Sequence, residues 1–123
     1  MNPIPGTTVR FASSAGSVDV RIDEDNPATR DLLAMLPITL EFEDFSGREK
    51  IAYPPRAIRF ADSPPSSAGA GDLAIYTPWG NLAFFYDGER GAPSAQIVRL
   101  GTFDATRTEL DALEEGPVTV HVV

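Results

Sequence analysis

Apolar and polar residues alternate along most of this chain, and breaks in the alternation divide it into short extended runs. Val9 and Phe11 share one side of a run over residues 7–12. Val18, Val20 and Ile22 repeat the spacing after the turn Ser13-Ser14-Ala15-Gly16. A period of two marks a strand with one buried face, so the first 22 residues predict a β-hairpin. Arg10, Asp19 and Arg21 fall in the opposite phase, where they pair across strands or meet solvent. The period then changes: Ala28, Leu32, Met35 and Leu36 recur at helical spacing. Asn26 can cap this helix, Pro27 suits its first position, and the acids Asp23-Glu24-Asp25 favour the positive end of its dipole. Pro37 holds Leu36 extended and ends it, which predicts a helix over 26–36.

Ile38, Leu40 and Phe42 alternate with Thr39, Glu41 and Glu43, a half-buried strand with an acidic outer face. Paired carboxylates on one strand can do acid/base chemistry, but no apolar pocket is visible beside them and a solvated face explains them. Asp44-Phe45-Ser46-Gly47 reads as a turn into a strand over 48–53, which Pro54-Pro55 stops because neither residue can donate to a ladder. Arg56, Ile58 and Phe60 resume an extended run, and the Pro/Ser/Gly-rich residues 61–71 form a surface loop. Two aromatic runs follow, over 73–77 and 81–86, joined by Thr77-Pro78-Trp79-Gly80. The second is apolar in both phases: Leu82, Phe84 and Tyr86 in one, Ala83 and Phe85 beside Asn81 in the other. Such a strand is either buried between layers or buried on one side and lining a groove on the other. After a loop over 87–94 come a strand over 96–103, a helix over 106–115 opened by a Thr106/Glu109 capping box, and a closing strand carrying Val118, Val120 and Val122.

At 123 residues the chain fits one domain over 1–123, with residues 1–6 a loose N-terminal tail. It has no cysteine, which removes disulfides, thiolate metal sites and cysteine nucleophiles and suits a reducing compartment. With no signal-like N-terminus and no long apolar run, a cytoplasmic location is expected. The formal charge of −8 opposes binding to nucleic acid and to anionic membrane, and neither partner is expected. No cofactor or metal is expected either. The acids at 23–25 lack the longer, glycine-containing spacing of a calcium loop, and His121 has no second His or Cys to join it. Gly69-Ala70-Gly71-Asp72-Leu73-Ala74 fits the letters of a dinucleotide fingerprint, but that motif must leave a strand and open a helix, and here a loop precedes and a strand follows.

The chemistry concentrates between Gly71 and Tyr86, which holds the single Trp, two of three Tyr and two of seven Phe. Trp79, between Pro78 and Gly80, either anchors the turn or contacts a ligand. Arg56, directly after a double proline, either has an aimed side chain or forms a surface ion pair. Tyr53, Arg56, Tyr76, Trp79, Asn81 and Phe85 are the candidate ligand-binding residues.

The order hairpin, helix, strands, helix, final strand resembles the cyclophilin fold, which implies a closed eight-stranded antiparallel barrel with two capping helices. The run Val20 to Leu33, with Pro27-Ala28-Thr29 opening the helix, is similar to the cyclophilin strand and first helix. Leu73 to Tyr86 is similar to its segment ending in two aromatics, and Glu109 to Val122 to its second helix and last strand. Lys50-Ile51-Ala52-Tyr53-Pro54-Pro55-Arg56, Gly71-Asp72-Leu73-Ala74 and Pro78-Trp79-Gly80-Asn81-Leu82-Ala83 resemble a cyclophilin-like family of small bacterial and archaeal single-domain proteins. If the chain is an enzyme, the resemblance implies a peptidyl-prolyl cis-trans isomerase. That reaction needs an apolar slot for proline and a donor, usually Arg, at the proline nitrogen. The isomerase residues are mostly missing. Where cyclophilins carry Phe-His-Arg, the strand Lys50 to Tyr53 has no Arg, leaving Arg56 just beyond it as the candidate catalytic donor. Where they carry Ser-Gln-Phe-Phe, this chain has Leu82-Ala83-Phe84-Phe85, which keeps Phe85 and replaces the Gln by Ala83. The expectation is a binding domain with an aromatic groove for a peptide or small molecule, lacking efficient isomerase activity. The alternatives are a weak isomerase using Arg56, or a structural or partner-binding module.

Overall fold

A computed structural model describes residues 4–123. In chain order the elements are β1 (Thr8–Ser13), β2 (Gly16–Ile22), α1 (Pro27–Met35), β3 (Ile38–Leu40), β4 (Glu43–Phe45), β5 (Glu49–Ala52), β6 (Asp72–Tyr76), β7 (Asn81–Phe85), β8 (Ile97–Phe103), α2 (Arg107–Asp111) and β9 (Val118–Val122), with a 3-10 turn over Ala112–Glu114 after α2. The strands form one curled sheet in the order β3-β9-β1-β2-β8-β6-β7-β5-β4, and every neighbouring pair is antiparallel. Of the expected tail, residues 1–3 lie outside the described residues. Ile4 packs on the core and the Gly6 amide donates to the Ile22 carbonyl, so the described part is attached rather than loose.

The expected closed eight-stranded barrel is corrected to a nine-stranded sheet whose ladder is open between β3 and β4. These edge strands are consecutive in the chain, with only Glu41 and Phe42 between them. The segment stays extended instead of folding back, because the inward phase that begins with Leu40 continues at Phe42. Phe42 is buried and meets Phe11 and Phe84 edge-to-face, with ring centroids 6.1 and 5.6 Å apart. One end of the segment pairs with β9 and the other with β5, so the chain itself crosses the seam. Asp44 and Phe45, expected in a turn, therefore belong to an edge strand over Glu43–Phe45. Only Ser46 and Gly47 reverse the chain, both at positive φ (55° and 65°), the handedness that follows strand twist in a tight hairpin. Residues 56–60 form no strand: of that run only Ile58 is buried.

Both helices are set by their caps. Asn26 accepts from the Thr29 amide at 2.8 Å while the Thr29 hydroxyl accepts from the Asn26 amide, and Leu36 leaves α1 extended. The Thr106/Glu109 box opens α2, which is shorter than expected and finishes as the 3-10 turn. Leu32, Leu110 and Leu113 carry the helices onto the core. Facing them, β6 and β7 send Leu73, Ile75, Leu82 and Phe84 inward, which aims Tyr76, Asn81, Ala83 and Phe85 outward.

Candidate functional site

On that outer face the strand register sets out three rows. Phe45, Glu49 and Phe85 pair across β4, β5 and β7; Ala74 pairs with Ala83; and Asn81, Tyr76 and Ile97 pair across β7, β6 and β8. The middle row carries only methyl groups at Ala74 and Ala83, both without exposed surface. Larger side chains from the flanking rows can lean over it. They line a groove of about 300 Å3 bounded by Phe45, Glu49, Tyr76, Trp79, Phe85 and Ile97. Trp79 enters from the β6–β7 turn, where Gly80 at φ +71° lets its amide reach back to the Tyr76 carbonyl at 2.8 Å. The indole stands at right angles to both Phe45 and Tyr76, with centroids 5.2 and 5.3 Å away, and remains 49% exposed. A half-exposed indole held edge-to-face by two rings is presented to solvent rather than packed away.

Glu49 is the one carboxylate lining this groove. Burial, followed by the nearby Asp44 charge, raises its pKa above the ordinary carboxylate value. No hydrogen bond or ion pair to its carboxylate is present among the described residues.

The sequence-predicted residues divide between places. Tyr76, Trp79 and Phe85 meet in the groove, and the direction of Phe85, open in the sequence, is outward. Tyr53 is exposed in a different, shallow cavity beside the β3–β4 seam, with Phe42, Ile51 and Pro55. Asn81 is buried, donates to the Leu82 carbonyl, and has an unpartnered Oδ1. Arg56 is held on α1, where Nη1 and Nη2 donate to the two oxygens of Asp31 at 2.7 and 2.9 Å. This is the surface ion pair that the sequence left open. Hydrogen bonding from Arg56, aided by the Arg59 amide, holds Asp31 down to about 2. A depressed carboxylate contributes stability that is present above its unfolded pKa near 4 and lost as pH falls through its folded pKa. Wild-type thermal midpoints should therefore fall between about pH 4 and pH 2 through this pair. Arg56→Ala should flatten that part of the profile, and an unchanged profile would count against the pairing.

Two charged clusters were not foreseen. Lys50 faces inward beside Phe84 and its side chain is 2% exposed, with Nζ 3.2, 2.8 and 2.6 Å from carboxylate oxygens of Asp44, Asp111 and Glu114. Burial pulls its pKa down, but the three acids outweigh this and hold it raised. Tyr86, which donates to Asp44, lies between Lys50 and the Arg107 guanidinium, 5.6 and 4.3 Å from its ring centroid. Elsewhere Arg99 is buried among Asp72, Asp23 and Glu24 at 2.7–3.0 Å, and Asp72 also binds Arg90 and the Gly69 amide. Two of the acids expected to favour the α1 dipole thus hold Arg99, and Asp25 pairs with Arg30. The two glycines of the apparent dinucleotide motif serve the chain itself: a Cβ on Gly69 would lie 2.5 Å from the Arg90 backbone nitrogen, and Gly71 turns the backbone at φ +94°. Among the described residues no group of three or more His, Cys, Asp or Glu is placed to hold a metal ion, and no helix is long and apolar enough to cross a membrane.

An open β half-barrel with two short helices is the fold of a cyclophilin-like domain. The chain matches the Cyclophilin-like family over residues 13–123, and it belongs to that family. Its fold is shared with the hypothetical protein AF2241 from Archaeoglobus fulgidus, whose solution structure superimposes with a TM-score of 0.71 at 15% identity, covering 99% of this chain and 98% of that one. No curated protein matches the sequence.

Proposed function

We propose that this protein is a ligand-binding domain whose site is the outer-face groove at Trp79, taking a small molecule or a short peptide segment, and that it is not an efficient prolyl isomerase. The observation that carries the reading is the half-exposed Trp79, held edge-to-face by Phe45 and Tyr76 at the mouth of a concave, largely apolar surface. A volume of about 300 Å3 lies at the small end of ligand sites. The isomerase alternative loses its donor, because Arg56 is occupied by Asp31 and no guanidinium lines the groove. The lack of cysteine supports a cytoplasmic setting.

Tryptophan emission reports on the site directly, since Trp79 is the single Trp. Titration with a library of small aromatic compounds and proline-containing peptides should yield members that shift Trp79 emission saturably, equally in wild type and Arg56→Ala. A protease-coupled proline-peptide assay should show the uncatalysed rate for both proteins. Emission unmoved by every compound, or catalysis that disappears in Arg56→Ala, would overturn this reading.

A further inference from the structure

Among the described residues the buried charges are all paired, whereas the partly buried Glu49 is not. Lys50 has three carboxylates, Arg99 has three, and Asp72 has two guanidinium groups. Glu49 is partly buried between Phe45 and Phe85 in the strand register and has no cation among the described residues. An unpaired carboxylate removed from water is costly, and nothing in the fold requires it there: Gln at this outward position would pack equally well. Its surroundings are those that attract an organic cation. Aromatic faces carry negative quadrupole potential, and Trp is the strongest of them. With Phe45 and Tyr76 perpendicular to Trp79, a group lodged in either corner meets a ring face whichever ring presents its edge. The net charge of −8 adds a long-range preference of the same sign.

We propose that the groove binds the alkylammonium head group of a small molecule, with Glu49 as counter-ion and Trp79, Tyr76, Phe45 and Phe85 as aromatic walls. This rests on the groove being the ligand site and adds the chemical class of the ligand. An alkylammonium group suits the site better than a metal ion, since one carboxylate among rings cannot replace a metal's hydration shell. It also suits it better than a neutral apolar group, which would leave the Glu49 charge buried and unpaired. A space of about 300 Å3 matches one head group rather than an extended peptide.

The test compares choline with 3,3-dimethylbutan-1-ol, its neutral carbon isostere, by Trp79 emission at low salt on the full chain. Choline should bind about tenfold more tightly than the isostere, the range that a desolvated cation–π contact supplies. Glu49→Gln should weaken choline about fivefold to tenfold, bind the isostere more tightly because no charge is then left unpaired beside it, and keep the urea midpoint equal or higher. Equal binding of choline and the isostere, or choline binding indifferent to Glu49→Gln, would overturn the cation assignment while leaving the groove as a site. A trimethyllysine peptide that binds more tightly than choline would overturn the small-molecule assignment. Failure of every compound, charged or neutral, would instead overturn the underlying groove reading.

Discussion

Phe84→Ala is expected to destabilise the protein by about 3–5 kcal/mol, while the same change one residue later, Phe85→Ala, costs about 1 kcal/mol or less and removes ligand binding. Phe84 has no exposed surface and meets Phe11, Phe42 and Phe103 edge-to-face, with centroids 4.8, 5.6 and 5.0 Å away. Truncation leaves a cavity that rings from β1, β8 and the β3–β4 seam cannot all collapse into. The seam is where loss should show first, because Phe42 rests on Phe84 and no ladder joins the two edge strands. Phe85 points the other way, beside Glu49 in the groove. Urea denaturation of the two variants measures the contrast. Similar losses for both would mean that the faces of β7 have been assigned wrongly.

Lys50→Met should cost about 3 kcal/mol at neutral pH, within the range seen when one partner of a buried ionic cluster is removed. Methionine fills the volume, so the loss comes from Asp44, Asp111 and Glu114, which then face one another across an apolar side chain. The pH dependence separates this from a packing defect. In the wild type, hydrogen bonding from Tyr86 and Lys50 lowers the Asp44 pKa, and Lys50 and Arg107 lower that of Asp111. Their contribution is present above the unfolded pKa near 4 and lost as pH falls below it. In Lys50→Met the acids gain by protonation instead. The gap between the two proteins should therefore shrink below about pH 4, and a gap constant from pH 7 to pH 3 would contradict the electrostatic account.

Much of the fold was legible because a period of two or 3.6 survives wherever one face is buried. The β1–β2 hairpin, α1 with its Asn26 cap, the β6–β7 pair and the closing strand all carry that pattern. The seam was not legible. Ile38 to Phe42 alternates as any half-buried strand does, and nothing local says that its continuation pairs with a different neighbour. Asp44 and Phe45 are too exposed to show a phase, and Ser46-Gly47 beside them carries the stronger turn signal. Lys50 and Arg99 look like surface charges because burial of a charge depends on acids that are distant in sequence, such as Glu114 for Lys50. The groove was half visible. Tyr76, Trp79 and Phe85 stand in one aromatic stretch, but Phe45, Glu49 and Ile97 join them only through strand register. Asn81 lies beside Trp79 along the chain but is buried, whereas Tyr53 and Arg56, singled out by the motif around Pro54-Pro55, leave the end of β5 away from the groove. The small pair Ala74 and Ala83, which opens room for the groove, was the available signal: two alanines in the outward phase of adjacent aromatic strands.

Ligands are proposed to bind at Trp79 on the outer face. Protein-detected NMR with the tightest compound from the fluorescence titration tests it most directly. Saturable shifts are expected for the Trp79 indole N–H and for the Phe45, Glu49, Tyr76, Phe85 and Ile97 resonances, with Tyr53 and Arg56 unmoved. Shifts centred instead on Tyr53 and the β3–β4 seam, or on Arg56, with the Trp79 indole unmoved, would contradict it.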